Sequence, residues 1–112
     1  MRFTKSKDIY KVIRITGSQD NILGVCFSER EEPNVELVEW ELKPGAKVKT
    51  SGEQVLDQVL AGLESVNKEL GSTYNLAKIY FLPSDSASNS VYELLIQALV
   101  KQLDSGAEFI EV

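Results

Sequence analysis

The apolar segment in the middle of the sequence most constrains how the chain folds. Residues Leu76–Leu82 (LAKIYFL) are almost all apolar, and Pro83 follows them directly. A short apolar run that ends at a proline predicts a central strand covered on both faces. Helical patterns lie on either side of this run. We therefore expect an α/β fold in which strands and helices alternate.

The helix before the apolar run is indicated by a single apolar stripe at helical spacing. The stripe consists of Val55, Leu56, Val59, Leu60, Leu63, Val66 and Leu70. A capping box of Ser51 with Gln54, or of Thr50 with Glu53, would begin the helix. Gly71 lies where a left-handed C-cap would end it.

The second helix is predicted to begin after Ser90, which with Glu93 forms a candidate capping box, and to end near Asp104. Its apolar face, from Val91 through Leu103, is wider than contact with one sheet requires. We expect this face to be buried between the sheet and the first helix. The alternative is a partly exposed face that forms a homodimer seam.

Three strands are predicted before the first helix: Ile9–Thr16, Ile22–Glu29 and Val35–Leu42. The turn at 17–21 and the loop at 30–34 are short, and short connections favour an antiparallel meander. In the third strand Trp40 is expected on a buried face, while Glu39 and Glu41 face solvent. We expect Trp40 to belong to the core.

The predicted element order is β-β-β-α-β-α-β, with a closing strand at Ala107–Val112. A helix between two strands favours their parallel pairing, so the closing strand is expected to pair with the central strand. The order resembles the ribonuclease H-like fold, in which three antiparallel strands precede helices that alternate with further strands. This resemblance covers most of the chain and concerns element order alone. We predict one domain, 1–112, in which residues 1–8 form a basic arm that is prone to fray.

The ribonuclease H-like resemblance implies two metal ions held by carboxylates from the first strand, the first helix and the end of the fourth strand. Asp85 matches the last of these positions, and Glu53 or Glu64 matches the second. The first position has no match, because Ile9–Thr16 contains no carboxylate and Asp8 only precedes it. The pattern therefore argues against two-metal catalysis.

Other catalytic chemistry lacks its usual residues. The chain has no His and a single Cys, Cys26, which we expect to be a small core residue. The serine-rich segment 84–90 contains neither a nucleophile elbow nor a phosphate-binding glycine loop. We expect no catalytic residue, no cofactor and no metal site. The enzymatic alternative is a magnesium-dependent phosphodiesterase that uses Asp85, Glu53 and Asp8 or Asp20.

Nothing in the sequence predicts secretion or membrane insertion. No apolar segment of signal-peptide length follows the basic N-terminus. The longest nearly apolar stretch, Val91–Val100, has ten residues and is too short to cross a bilayer. The lone cysteine fits a reducing compartment, so we expect a cytoplasmic protein with no membrane contact. The net charge of −5 argues against direct nucleic-acid binding.

The charge is distributed unevenly along the sequence. Residues 29–42 carry a local charge of −5, between basic segments of +4 at 1–17 and +3 at 43–51. The partner-binding residues that we predict are Glu31, Glu32, Glu36, Glu39 and Glu41. The other interpretation is a solvated strand face that is balanced by lysines such as Lys11.

These features predict a small acidic binding protein without enzymatic activity. In size, charge and lack of motifs it is similar to bacterial immunity proteins, which neutralise a toxin by occupying its basic active cleft or an adjacent surface. This resemblance implies a basic protein partner, a toxin or a nuclease, with electrostatically steered association. A structural subunit that dimerises through the second helix is the remaining alternative.

Overall fold

The computed structural model describes residues 1–15 and 20–112, and within them the chain forms six β-strands and two α-helices. The strands are β1 (Arg2–Ser6), β2 (Ile9–Ile15), β3 (Asp20–Ser28), β4 (Glu36–Glu39), β5 (Asn75–Phe81) and β6 (Ile110–Glu111). The helices are α1 (Gly52–Leu70) and α2 (Val91–Asp104), and a short 3₁₀ turn at Ser88–Ser90 precedes α2. The turn predicted at 17–21 lies largely outside the described residues.

All six strands belong to one mixed sheet in the order β4-β5-β3-β2-β1-β6. The pairs β1–β2, β2–β3 and β3–β5 are antiparallel. The pairs β4–β5 and β1–β6 are parallel. The predicted α/β class with a mixed sheet is confirmed.

The predicted meander is wrong in its third member. The segment predicted as the third strand contains β4, which pairs with β5 rather than with β3. The place beside β3 is taken by β5, whose Ile79 and Phe81 are fully buried. The strand β4 instead lies at the sheet edge, where its two glutamates remain in solvent. The antiparallel meander of the structure is β1–β2–β3.

The predicted N-terminal arm is also wrong, because most of residues 1–8 form β1. Every residue of β1 pairs with β2, from Arg2 opposite Ile13 to Ser6 opposite Ile9. On its other side β1 pairs with β6, so the closing strand is not beside β5 as predicted. The sequence of β1 is largely polar, so no apolar pattern predicts this strand. Its pairing with two neighbouring strands keeps it in the sheet.

The helix α1 begins and ends as predicted. The Ser51 hydroxyl accepts from the Gln54 backbone N–H at 3.2 Å, and the Ser51 backbone N–H donates to the Gln54 side chain at 3.1 Å. Gly71 adopts the left-handed conformation, with φ of 65°, that a side chain would disfavour. This local capping chemistry explains why the helix boundaries could be predicted.

The capping box predicted for α2 is absent. Ser90 is itself left-handed, with φ of 52°, and its side chain makes no capping bond. The side chain of Gln58, on α1, accepts from the Tyr92 backbone N–H at 3.1 Å and donates to the Ala87 carbonyl at 2.7 Å. One helix therefore caps the other, through a contact between residues distant in sequence.

Both helices pack on the same face of the sheet and against each other. The wide apolar face of α2 is buried between the sheet and α1, as expected, and its Tyr92 is fully buried. The helices approach closely at Gly62, where an added Cβ would lie 2.5 Å from the Glu93 carbonyl oxygen. Neither helix of the described chain is long and apolar enough to cross a membrane.

No helix of the described residues packs on the opposite face of the sheet, where the structure places Trp40. The indole lies over Gly24 and stacks on Tyr80, with ring centroids 5.9 Å apart. The Lys11 ammonium lies 5.4 Å from the indole centroid. Trp40 is thus half-buried outside the helix-covered core, which corrects the prediction. The apolar run Leu76–Leu82 predicts a central strand that is covered on both faces. The helices cover one face of β5, and the Trp40 indole covers part of the other.

Candidate functional site

The acidic segment, residues 29–42, surrounds one edge of the sheet. It comprises the loop after β3, the edge strand β4 and the chain that follows. Four of the five predicted partner-binding glutamates are exposed, and Glu32 is half-buried. The exposed residues are Glu31, Glu36, Glu39 and Glu41. The segment is thus presented to solvent along its length.

Two of the glutamates have cationic neighbours. Glu32 accepts from the Ser28 hydroxyl at 2.8 Å and lies 3.7 Å from Arg30. Glu36 lies 3.6 Å from Lys78, whose pKa is raised by neighbouring Tyr80 and by Glu36 itself. Both ion pairs are partly open to water, where such pairs contribute little to stability.

The other three glutamates, Glu31, Glu39 and Glu41, form no ion pair with any residue in the described ranges. Lys11, which could have balanced them, lies over Trp40 on the sheet face instead. Carboxylates crowded without cations repel each other, and a cationic partner would relieve that repulsion. These three side chains, together with the exposed Glu29, carry the uncompensated charge of the acidic segment.

The carboxylates do not all share one face of β4. Glu36 is in register with Lys78, on the face without helices, whereas Glu39 is in register with Phe81, on the helix-covered face. Carboxylates therefore lie on both sides of the edge, and Lys78 offsets the charge of Glu36 on the face without helices. A partner that approached β4 edge-on would meet both sets of carboxylates.

A groove lies between the first part of the acidic segment and the C-terminal half of α1. Its volume is about 680 Å³. The apolar part of its lining is formed by Val35, Leu56, Leu60 and Leu63. Glu31, Glu32, Glu64 and Lys68 supply charged groups around it. The Lys68 ammonium lies 3.3 Å from the Glu64 carboxylate, so these two charges offset each other at the edge of the groove.

Sequence reasoning missed this groove. The stripe on α1 predicted that Leu60 would be buried, but 40% of its surface is exposed. The exposure arises because the acidic segment does not close over the helix at this point. No local pattern signals that placement, which depends on how the loop after β3 crosses to β4.

The cysteine lies against Tyr80 on the sheet face that carries no helix. Its Sγ is 3.9 Å from the Tyr80 hydroxyl, and only 6% of the residue is exposed. Burial raises the pKa of the Cys26 thiol above its usual value. A buried, protonated thiol is a poor nucleophile, and its setting favours the packing role predicted for it.

The carboxylates proposed for the enzymatic alternative are dispersed. The Asp85 side chain accepts from the Ile22 backbone N–H at 3.1 Å, near the start of β3. Burial raises the pKa of Asp85, and neighbouring Asp20 raises it further. Asp8 instead lies near Cys26. Cys26 is four residues after Ile22 on β3, so Asp8 and Asp85 lie near two points of the strand that are about 14 Å apart. In the part of the chain that the structure describes, no three His, Cys, Asp or Glu side chains are grouped as metal ligands.

A buried hydroxyl lies at the same end of the sheet as Asp85. Tyr92 is fully buried, and no described atom completes a hydrogen bond with its OH. Asn21 lies beside it, and the Asn21 amide nitrogen donates one of its hydrogens to the Ser86 carbonyl at 2.8 Å. Burial raises the pKa of Tyr92 to about 12. This hydroxyl is a source of local instability that the sequence does not reveal.

Comparisons of the chain with protein-family models, with curated proteins and with solved structures found no match.

Proposed function

We propose that this chain is a non-enzymatic acidic binding protein that neutralises a basic partner, a toxin or a nuclease, by protein–protein contact. One observation carries the proposal: Glu31, Glu39 and Glu41 are exposed along the acidic segment and form no ion pair with any described residue. The immunity-type role expected from the sequence is the functional class that fits this edge.

The physical basis is electrostatic complementarity. A nucleic-acid-binding cleft must be positively charged to hold phosphates. A negative edge is attracted to such a cleft, which accelerates association and selects against acidic competitors. Once in contact, the carboxylates occupy the positions that phosphates would take, so binding and inhibition have the same cause.

The residues present support binding over catalysis. The chain has no His, and the Cys26 thiol is buried. The Asp85 carboxylate, the strongest enzymatic candidate, already accepts a backbone hydrogen bond. The ribonuclease H-like resemblance remains a hypothesis about element order, and no contact in the site favours the phosphodiesterase that it would imply.

The dimerising subunit is the other alternative. The helix α2 has buried most of its apolar face within the chain and leaves Leu94 with half of its surface exposed. A single exposed leucine is ordinary on a monomer surface. Sedimentation at micromolar concentration tests this alternative, and a monomer would contradict it.

The acidic edge is tested by reversing charge at two places on the sheet. The test variant is Glu39→Lys with Glu41→Lys, and the matched control is Glu108→Lys with Glu111→Lys. The control residues are exposed and lie at or next to β6, on the opposite edge. Five strand spacings separate the edges by about 24 Å, three times the screening length of about 8 Å in physiological salt.

The measurement is calorimetric binding to the product of the gene adjacent to this chain's own. We expect the test variant to lose affinity strongly and the control variant to bind almost as wild type. If both variants lost affinity equally, the net charge of the protein rather than the acidic edge would govern binding, which would contradict the proposal. Unchanged affinity in the test variant, or no binding by the wild-type protein, would contradict the proposal.

A further inference from the structure

We propose that the groove between the acidic segment and α1 holds a short segment of the partner in which leucine-like side chains alternate with lysine or arginine. This inference rests on the proposed function and names the part of the basic partner that the site takes. It follows from the apolar floor of the groove, the charge of its rim and the hydrogen bonds that Asn67 makes at its end wall.

The floor of the groove is apolar and open. Leu56, Leu60 and Leu63 come from successive turns of α1, and Leu60 keeps 40% of its surface in solvent. Val35 closes the other side from the acidic segment. Exposed aliphatic surface in a concave site gains free energy when an apolar side chain covers it. The floor therefore favours an aliphatic anchor.

The rim of the groove is negative. Glu31 and Glu32 lie on one side, and Glu64 lies on the other beside the single cation Lys68. Arg30, the only other described cation paired here, lies 3.7 Å from Glu32 and is itself exposed. Glu31 forms no ion pair with a described residue, so the rim attracts a cationic side chain most strongly on the side of the acidic segment, next to the apolar anchor.

At the end wall of the groove, the polar atoms of the Asn67 side chain already have hydrogen-bond partners within the chain. The Asn67 amide donates to the Tyr74 carbonyl at 3.0 Å, and its oxygen accepts from the Tyr74 backbone N–H at 3.0 Å and the Ser72 hydroxyl at 2.9 Å. These bonds leave the Asn67 side chain committed to the loop after α1. Recognition then depends on the apolar floor and the charged rim rather than on this amide.

The test uses three short synthetic peptides on the full chain. One alternates Lys with Leu, the second alternates Lys with Ser, and the third alternates Glu with Leu. We expect the Lys–Leu peptide to bind and to shift amide NMR signals of the groove residues. The other two should bind far more weakly, since each lacks one of the two complementary features.

Leu60→Ser removes the exposed part of the floor, and Leu94→Ser, on α2 outside the groove, is its matched control. Both leucines are exposed, so both variants are expected to fold. We expect Leu60→Ser to weaken binding of the Lys–Leu peptide about fivefold and Leu94→Ser to leave it unchanged. Glu31→Gln should weaken it about twofold to threefold at low salt.

Three outcomes would overturn the groove assignment: no binding by the Lys–Leu peptide, equal binding by the Lys–Ser peptide, or unchanged affinity in Leu60→Ser. Each of these leaves the proposed function intact if the variant with Glu39→Lys and Glu41→Lys still loses the basic partner. Conversely, if the proposed function is wrong, the double variant will bind the partner as tightly as the wild type does. The two failures are therefore distinguishable.

Discussion

Gly62 is the position where the contact between the helices is most sensitive to a single methyl group. A Cβ added there would lie 2.5 Å from both the Glu93 carbonyl oxygen and Ile96 Cγ2, and 3.0 Å from Glu93 Cα. Ordinary contacts of a Cβ begin near 3.4 Å, so the helices would have to separate by about 0.9 Å. Two of the three obstructing atoms are backbone, which cannot rotate away.

Two opposing effects set the magnitude for Gly62→Ala. Overpacking a tight contact costs about 1–3 kcal/mol, and the backbone obstruction points to the upper end. Replacing glycine by alanine inside a helix stabilises by about 1 kcal/mol. We therefore expect a net loss of about 2 kcal/mol in the free energy of unfolding.

The assay is urea unfolding followed by circular dichroism, with Ala61→Gly as the control. Ala61 is an exposed neighbour on the same helix, so its substitution measures helix propensity without the contact. It should cost about 1 kcal/mol. If Gly62→Ala instead gained about 1 kcal/mol, the helices would not be pressed together at this point, and the described packing of α2 would be wrong.

Three further substitutions test the polar and aromatic contacts. Tyr92→Phe removes a buried hydroxyl for which no described atom completes a hydrogen bond, and it should stabilise the protein by about 1 kcal/mol at neutral pH. The wild type should lose stability as pH rises from the ordinary tyrosine pKa of 10 towards the folded pKa of about 12, and the variant should not show this loss. Lower stability of the variant at neutral pH in urea unfolding would contradict the first expectation, and the same decline with pH in both proteins would contradict the second. Asp85 has a raised folded pKa, so its contribution to stability is complete below its ordinary pKa of 3.8 and is lost as pH rises through the folded value; Asp85→Asn, which keeps an acceptor for the Ile22 N–H, should therefore unfold at higher urea than wild type near neutral pH and lose this advantage in acid, and the opposite trend would refute the assignment. Gly24→Ala places a Cβ 3.0 Å from the Trp40 ring, so the indole must shift; the emission of this single tryptophan should move to longer wavelength, and an unchanged spectrum would show that Trp40 does not cover Gly24.

The parts of the fold that could be predicted are those set by neighbouring residues. The helix α1 has its capping box at Ser51 and its C-cap at Gly71, so its ends are encoded within a turn of where they fall. The apolar run Leu76–Leu82 likewise identifies β5 as an interior strand. In each case hydrogen bonds or burial act on contiguous sequence.

The parts that could not be predicted depend on distant contacts. The strand β4 pairs with β5 rather than with β3. The helix α1 connects β4 to β5 and lets β5 enter the sheet between β4 and β3. The strand β1 has a polar sequence and is held by two neighbours. The start of α2 is capped from α1 by Gln58 rather than by its own Ser90. None of these pairings is encoded near the residues that it orders.

The candidate site divides in the same way. The acidic segment could be read from composition, because charge is a property of the residues themselves. Its arrangement could not, since both Glu36 and Glu39, on opposite faces of β4, are exposed only because β4 lies at the edge of the sheet. The groove beside Leu60 required the position of the loop after β3 as well.

The most direct test of the acidic edge is the salt dependence of the rate at which the chain associates with the product of the gene adjacent to its own. Stopped-flow fluorescence of Trp40 follows the encounter for wild type and for the variant with Glu39→Lys and Glu41→Lys. We expect the wild-type rate to fall steeply as ionic strength rises, because screening weakens the steering of the partner to the edge. The variant should associate slowly with little dependence on salt. Equal rates with the same salt dependence in both proteins would contradict the claim that these carboxylates meet the partner.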